Sequence, residues 1–388
     1  MSSVVRVLQF SPHHENCGVG KYEENFVAVF QKMPGDIETD FFDVSPYQTR
    51  VMDDVQLQEV LQKLSRDLAS YDILHIQHEF GLFSGEEFAK IVDIAKDAGK
   101  KVVVTVHLSP ALAFKVKPRE GIGPRSLLHV ARQRRLHGIF KDRHISAFKK
   151  ADLLVTHNNG ATESLWHYGI SRDKILQYNH PVLDSIDMSM KSTEIADKLQ
   201  KQDGDVLFAT IGFMHKYKGI TDAVKALKYL PDNYKLAIIG GMQPISDEKN
   251  IYNTIADLID QLNLRDRAYI TGYVADDQRL NALIREVDIC VYPYDNTYYG
   301  QVSSGALNLA FANERPVIAY PTDGFKDLNK EDEHLVLCST FAYYELAREI
   351  QRINIAEQKK HIKDFSQKNS WSNIAKIQLE TYQKLIGG

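Results

Sequence analysis

Short apolar runs, each followed by a turn and a helical pattern, recur along the whole chain. The first half carries VVRVLQF (4–10), DILHIQH (72–78), KVVVTVH (101–107), ADLLVTH (151–157) and KILQY (174–178). The second half carries VLFATIG (206–212), KLAIIGG (235–241), RAYITG (267–272), ICVYPY (289–294), RPVIAY (315–320) and HLVLC (334–338). Between them lie helical patterns such as EEFAKIVDIAKDAGK (86–100), TDAVKALKYL (221–230) and IYNTIADLIDQLNL (251–264). Strands alternating with helices of this length predict an α/β chain with doubly wound parallel sheets. So many strands exceed one sheet, and 388 residues suit two cores, so two Rossmann-like domains are expected. The break falls near 182–203, where the sequence loses its strand pattern, and a fresh strand follows Asp203-Gly204. The expected domains are therefore 1–185 and 186–368. An amphipathic helix, SWSNIAKIQLETYQKLI (370–386), occupies the last segment, 369–388. No internal sequence repeat links the two halves.

Composition narrows the function. A net charge of −4 does not suggest a nucleic-acid partner. Cys17, Cys290 and Cys338 lie far apart without a CxxC pair, which fits a reducing compartment and argues against a finger-type zinc site. No apolar run is long enough to span a bilayer, and the chain enters a strand-like run without a signal-peptide pattern. These features predict a cytoplasmic protein.

In open parallel sheets ligands bind beyond the carboxyl ends of the strands. After the first run comes SPHHENCGVGKYEENF, where Gly18, Val19 and Gly20 read either as a loop open to an anion or hydroxyl or as a plain strand-to-helix turn. His107 ends the strand in TVHLSP, and His75, His78 and His157 sit at or near other strand ends. The two histidines of HIQH are three apart on an extended run and point to opposite faces, a poor arrangement for a metal. In the second half, Lys218-Gly219 precedes a helix, with His215 and Lys216 beside it, a setting suited to a pyrophosphate or to an ordinary solvated loop.

The stretch GQVSSGALNLAFANERPVIAY (300–320) has no charge from Gly300 to Leu309. Ser303 or Ser304 is a natural N-cap, and Ala306, Leu307, Leu309, Ala310 and Phe311 make a buried helix face. Uncovered amides and the positive end of the helix dipole make Gly300 to Ala306 a cradle for phosphate, or else a tight connection without a ligand. Segment 115–150 is strongly basic, with eleven Lys/Arg against Glu120 and Asp142. It reads as a solvated helix flanking an anion cleft, or as a site of peripheral contact with a lipid-linked phosphate at the inner membrane face.

Taken together these motifs resemble the retaining GT-B glycosyltransferases of the large family that includes sucrose synthase and the phosphatidylinositol mannosyltransferases, glycosyltransferase family 4. The resemblance rests on Gly18-Val19-Gly20, HIQHEFGLF (75–83), TVH (105–107), IGFMHKYKG (211–219), IIGG (238–241), TGYV (271–274) and SSGALNLAFANERPVIA (303–319). It implies two Rossmann-like domains facing a central cleft, with the C-terminal helix crossing back to the first. It implies donor diphosphate contacts from His215, Lys216, Lys218, Gly300, Gln301, Val302, Ser303, Ser304, Gly305 and Ala306. Ribose and base contacts would come from Asn308, Tyr273, Val274 and Gly240, and catalytic roles would fall to His107 and Lys218. Gly18, Val19, Gly20 and His78 would face the acceptor.

Two departures stand out. Relatives commonly carry arginine where this chain has Phe213, and two glutamates where it has Gly300 and Asn308. The family activity implied is metal-independent, cofactor-free retaining transfer of a hexosyl group from a GDP- or UDP-linked sugar to a glycan or glycolipid, as in polysaccharide biosynthesis. A nucleotide-sugar epimerase, a phosphorylase and a non-catalytic nucleotide-sugar-binding subunit remain as alternatives.

Overall fold

A computed structural model describes residues 4–12, 18–33, 35–44, 52–113, 138–242, 250–295, 305–330 and 333–387. The chain forms two compact units, 1–179 with 371–388, and 180–370.

The first unit holds a six-stranded parallel sheet. Its strands are β1 (Val5–Ser11), β2 (Ile37–Asp43), β3 (Ile73–His78), β4 (Lys101–Val106), β5 (Leu153–Thr156) and β6 (Ile175–Gln177), in the order β2-β1-β3-β4-β5-β6. Its helices are α1 (Gly18–Phe30), α2 (Asp54–Asp67), α3 (Gly85–Asp97), α4 (Pro110–Ala113), α5 (described over 138–150) and α6 (Asn159–His167). Both α2 and α3 open with reciprocal capping boxes, Asp53 with Gln56 and Ser84 with Glu87. Strand β2 was not expected from the sequence. It is an edge strand, IETDFFD, in which only Ile37 and Phe42 are buried, so it carries no continuous apolar run.

The second unit repeats the architecture with β7 (Val206–Ile211), β8 (Tyr234–Ile239), β9 (Ala268–Gly272), β10 (Ile289–Tyr292), β11 (Val317–Ala319) and β12 (Val336–Leu337). Their order is β12-β11-β10-β7-β8-β9, all parallel. The helices are α7 (Glu194–Lys198), α8 (Ile220–Lys228), α9 (Ile251–Gln261), α10 (Asp277–Glu286), α11 (Gly305–Ala312), α12 (Asp323–Leu328), α13 (Tyr343–Arg352) and α14 (Ile355–Lys368). The last helix, α15 (Trp371–Gly387), returns to the first unit, where Trp371 packs edge-on against Tyr22 and Phe26 of α1.

Strand order reverses between β1 and β3 in the first unit and between β10 and β7 in the second. Those reversals are where open α/β sheets admit ligands, because the connecting helices diverge to opposite faces there.

The two sheets are covered differently. In the second unit both faces are apolar: Leu207, Ala209 and Ile211 of β7 enter one core, and Phe208 enters the other. In the first unit, Leu8, Phe10, Leu74, Ile76, Val102 and Val104 pack beneath α2 and α3. The alternate residues point the other way, and towards the carboxyl ends of the strands they are Gln9, Ser11, His75, Gln77 and Thr105, all buried.

Within the basic segment, 115–137 lies outside the described residues. In the described part, α5, two of the basic residues pair with acids of α3: Arg143 with Glu86 and Lys150 with Asp93. Among the described residues no helix is long and apolar enough to cross a membrane.

Candidate functional site

In the second unit the residues after β7 build the most concentrated site. Gly212 follows the strand with φ 109°, and a Cβ there would lie 3.4 Å from Ala306 Cβ and 3.7 Å from Lys218 Nζ. A 3-10 turn, Lys216–Lys218, leads to Gly219, which takes φ 63° and caps α8. A Cβ on Gly219 would lie 1.8 Å from the Pro293 carbonyl oxygen, so glycine is required both by backbone conformation and by the approach of the turn to the end of β10. That approach brings Lys218 to Tyr294. The ammonium donates to the Tyr294 hydroxyl and sits 4.4 Å from the ring centroid. Desolvation lowers the Lys218 pKa.

Helix α11 starts at Gly305 with no acidic residue in its first turn. A Cβ on Gly305 would meet nothing within 4 Å. Tyr292 at the end of β10 donates to the Ala306 carbonyl (2.7 Å), fixing the first turn against the sheet. Lys218, Gly212 and the start of α11 thus gather at the strand-order reversal. The remaining expected cradle residues, Gly300, Gln301, Val302, Ser303 and Ser304, lie outside the described residues.

The other expected donor residues separate. His215 stacks on Tyr217 (5.5 Å, 15°), and Lys216 is exposed. Tyr273 is 43% exposed and stacks on Phe213, centroids 5.7 Å apart and planes at 10°. Phe213, where an arginine is common in the resembled family, therefore carries an aromatic face in place of a charge. Val274 is buried in the core, so its side chain is not offered to a ligand. Gly240 has a structural reason: a Cβ would lie 2.0 Å from the Gly212 carbonyl oxygen, so it admits the ends of β7 and β8 to one another.

Asn308 is 9% exposed, and its amide nitrogen donates to His180 Nδ1 (2.5 Å) and the Pro181 carbonyl (3.3 Å). The same Nδ1 lies 3.1 Å from the Pro181 carbonyl, and burial pushes the His180 pKa down to about 4. The amide nitrogen of Asn308, a residue expected to contact the ribose, is thus bonded to the chain itself.

In the first unit, His107 follows β4 and its backbone N–H donates to the His78 carbonyl. Its ring Nε2 lies 2.9 Å from Gln77 Oε1, and Tyr22 of α1 packs edge-on against it (4.9 Å, 83°). His75 bonds Thr105 Oγ1 (2.8 Å) and the Tyr382 hydroxyl (2.6 Å). Burial lowers its pKa to about 3.

Two expectations are corrected here. Gly18, Val19 and Gly20 are not a loop but the first turn of α1. His78 does not face an acceptor. Its ring is fully buried among Phe80, Phe88 and Phe148, with centroids 4.4–5.0 Å away, and burial holds its pKa well below the usual imidazole range. His75 and His78 point to opposite faces, as their spacing predicts, and only His75 shares a face with Gln77 and Thr105. Among the described residues no group of three or more His, Cys, Asp or Glu is placed to hold a metal ion.

Residues that sequence reasoning missed are Tyr294, Gln77 and Glu23. Tyr294 lay within a run read as strand, and Gln77 within the HIQH motif. Glu23 follows the Gly-rich turn in a sequence that reads as an exposed acidic pair.

Residues 191–369 match the family model described as Glycosyl transferases group 1. No curated protein matches the chain. Among solved structures, a glycosyltransferase from Rickettsia africae ESF-5 is similar at TM-score 0.70 and 16% identity, covering 99% of each chain. A sucrose-phosphate synthase from Thermosynechococcus elongatus is similar at TM-score 0.67 and 17% identity, again over 99% of each chain. Anabaena HepE in complex with UDP and glucose is similar at TM-score 0.63 and 14% identity, over 99% of this chain and 98% of that one. The fold is that of the GT-B glycosyltransferases.

Proposed function

With residues 191–369 matching glycosyl transferases group 1 and both units folded as in GT-B enzymes, we propose that this protein is a retaining hexosyltransferase that uses a nucleoside diphosphate sugar. The observation that carries this reading is the meeting of Lys218, Gly212 and the first turn of α11 at the β7/β10 reversal. A diphosphate bound there meets one ammonium, a helix amide terminus without acid, and no side chain on the two glycines. The HepE complex with UDP and glucose supports a UDP-linked donor. The acceptor is a glycan or glycolipid.

In the proposed reaction the bond between the anomeric carbon and the phosphate oxygen breaks. The acceptor oxygen bonds the same carbon on the same face, and its proton passes to the departing phosphate oxygen. Negative charge therefore grows on the diphosphate, where Lys218 and the α11 amides stabilise it most in the transition state. This account needs no metal and no cofactor. Phe213 and Tyr273 offer the base a flat aromatic surface. His107 orients a sugar hydroxyl rather than acting as the base.

The test is incubation with UDP- and GDP-linked hexoses and a panel of glycan and lipid-linked acceptors. The expected result is release of the nucleoside diphosphate and a glycoside that keeps the donor's anomeric configuration. Inversion at that carbon would contradict retention, and conversion of the sugar nucleotide without any acceptor would replace transfer with epimerisation.

A further inference from the structure

The polar face of the first sheet carries one group that the proposed reaction does not use. Glu23, on α1, is completely buried. Burial pushes its pKa up to about 8, against smaller downward pulls from Ser11 of β1 and Gln77 of β3. Those two side chains lie against the carboxyl, yet neither closes a hydrogen bond of ordinary geometry: both Glu23 oxygens and the Gln77 amide nitrogen are orphaned. Among the described residues, the titratable groups that feel or affect Glu23 are Glu24 and Tyr22 on α1 and Tyr382 on α15, none of them a cation. His75 of β3, on the same face, is neutral.

A buried carboxyl without a cation or a closed hydrogen bond is costly, and an apolar residue would serve packing better. Groups of this kind concentrate where chemistry needs them. What Glu23 can do follows from Gln77. A glutamine amide has one accepting end and one donating end. Gln77 Oε1 is turned to His107 Nε2 at 2.9 Å, so that ring nitrogen carries the proton. Turning the amide over would present N–H groups to His107 and reverse the tautomer. An acceptor beside the Gln77 nitrogen favours the observed orientation, and the Glu23 carboxyl lies against that side chain.

We propose that Glu23 is the positioning residue for His107, acting through the orientation of the Gln77 amide. The role of His107 at the sugar rests on the function proposed above, but the tautomer does not. Glu23 fixes the Nε2–H form of His107, and the ring's Nδ1 is then its accepting nitrogen. The gap between Glu23 and Gln77 is of the kind that closes when a substrate draws on His107.

The test uses the full chain labelled with 15N-histidine. In the wild-type protein the His107 ring nitrogens are expected to report a single Nε2–H tautomer. Glu23→Gln keeps a carbonyl acceptor and retains it. Glu23→Leu removes the acceptor, and the ring shows mixed tautomers with its Nε2 signal displaced. If the hexosyltransfer reading holds, Glu23→Leu also lowers kcat by about tenfold with the donor KM within about twofold, and Glu23→Gln restores kcat. Unchanged His107 signals in Glu23→Leu overturn the proposal, whatever the activity. Altered signals in a protein without transferase activity keep the positioning role and remove only the reading of the reaction. Should Glu23→Leu not fold, a titration decides. The wild-type His107 signals must move as Glu23 ionises near pH 8, and those of Glu23→Gln must not. Signals that stay fixed in both overturn the proposal.

Discussion

The two units solve the same problem with different materials. In the second, the ends of β7, β8 and β10 are drawn together by glycines whose side chains would strike backbone, and Lys218 is the cation brought against Gly212 and Tyr294. Its sheet is apolar on both faces, so rigidity comes from packing. In the first unit, one sheet face is a buried ladder of neutral polar groups, Gln9, Ser11, His75, Gln77 and Thr105, closed over by Tyr22, Glu23 and Tyr382. There rigidity comes from hydrogen bonds such as His75 to Thr105 and Tyr382. The proposed diphosphate site is built from main chain and a lysine. The face proposed to orient sugar hydroxyls is built from side chains with paired donors and acceptors.

Substitutions can break this contrast, and the largest effect belongs to Gly219. Gly219→Ala places a Cβ 1.8 Å from the Pro293 oxygen at φ 63°, and should cost about 3 kcal/mol or more of stability, read by thermal unfolding. Gly99 of the first unit has φ 71° but open space around it, so Gly99→Ala should cost only about 1 kcal/mol. Equal losses would mean that close backbone approach does not organise the second unit. Next comes Lys218→Ala, expected to lower kcat by about 10²-fold with the melting temperature unchanged. Near-normal turnover would remove Lys218 from the site.

The pH dependence of stability sharpens the comparison further. The folded pKa of Glu23 is raised to about 8 from 4.5, so the folded chain holds a proton that the unfolded chain releases. Its contribution is fully present below pH 4.5 and is lost as pH rises towards 8, with a slope of up to about 1.4 kcal/mol per pH unit. Glu23→Gln should lack that slope. His75 works in the opposite direction: its folded pKa of about 3 lies below the ordinary 6.5, so stability falls as pH drops below 6.5.

Smaller again is Phe213→Arg, which adds a cation to the second unit's site and should tighten nucleoside diphosphate binding by about tenfold, measured by calorimetry. The smallest effect is expected at His78. His78→Leu replaces a neutral ring among phenylalanines and should shift stability by under about 1 kcal/mol, with turnover unchanged.

The second unit was far more legible in the sequence than the first. A lysine beside a glycine-bearing turn and an uncharged helix start are local signals, and Lys218, Gly219 and Ala306 could be picked out from them. Their partner Tyr294 could not, because its role depends on the pairing of β7 with β10 across the chain. In the first unit the alternating strands were visible, but the polar face was not. Gln9, His75, Gln77 and Thr105 sit within runs that read as apolar, and only the register that sets Gln9 beside His75 and Gln77 beside Thr105 makes them one surface. Glu23 was hidden for the same reason, since local sequence places it in a charged pair and only α15 and the sheet bury it. Strand β2 escaped because an edge strand needs few apolar residues.

In the proposed reaction a diphosphate binds on Lys218 and the amides that open α11. A crystal structure of the protein with a bound nucleoside diphosphate tests it most directly. Phosphate oxygens are expected within hydrogen-bonding distance of Lys218 Nζ and of the main-chain amides of Gly305 and Ala306. A diphosphate bound elsewhere, with Lys218 still resting on Tyr294, would contradict it.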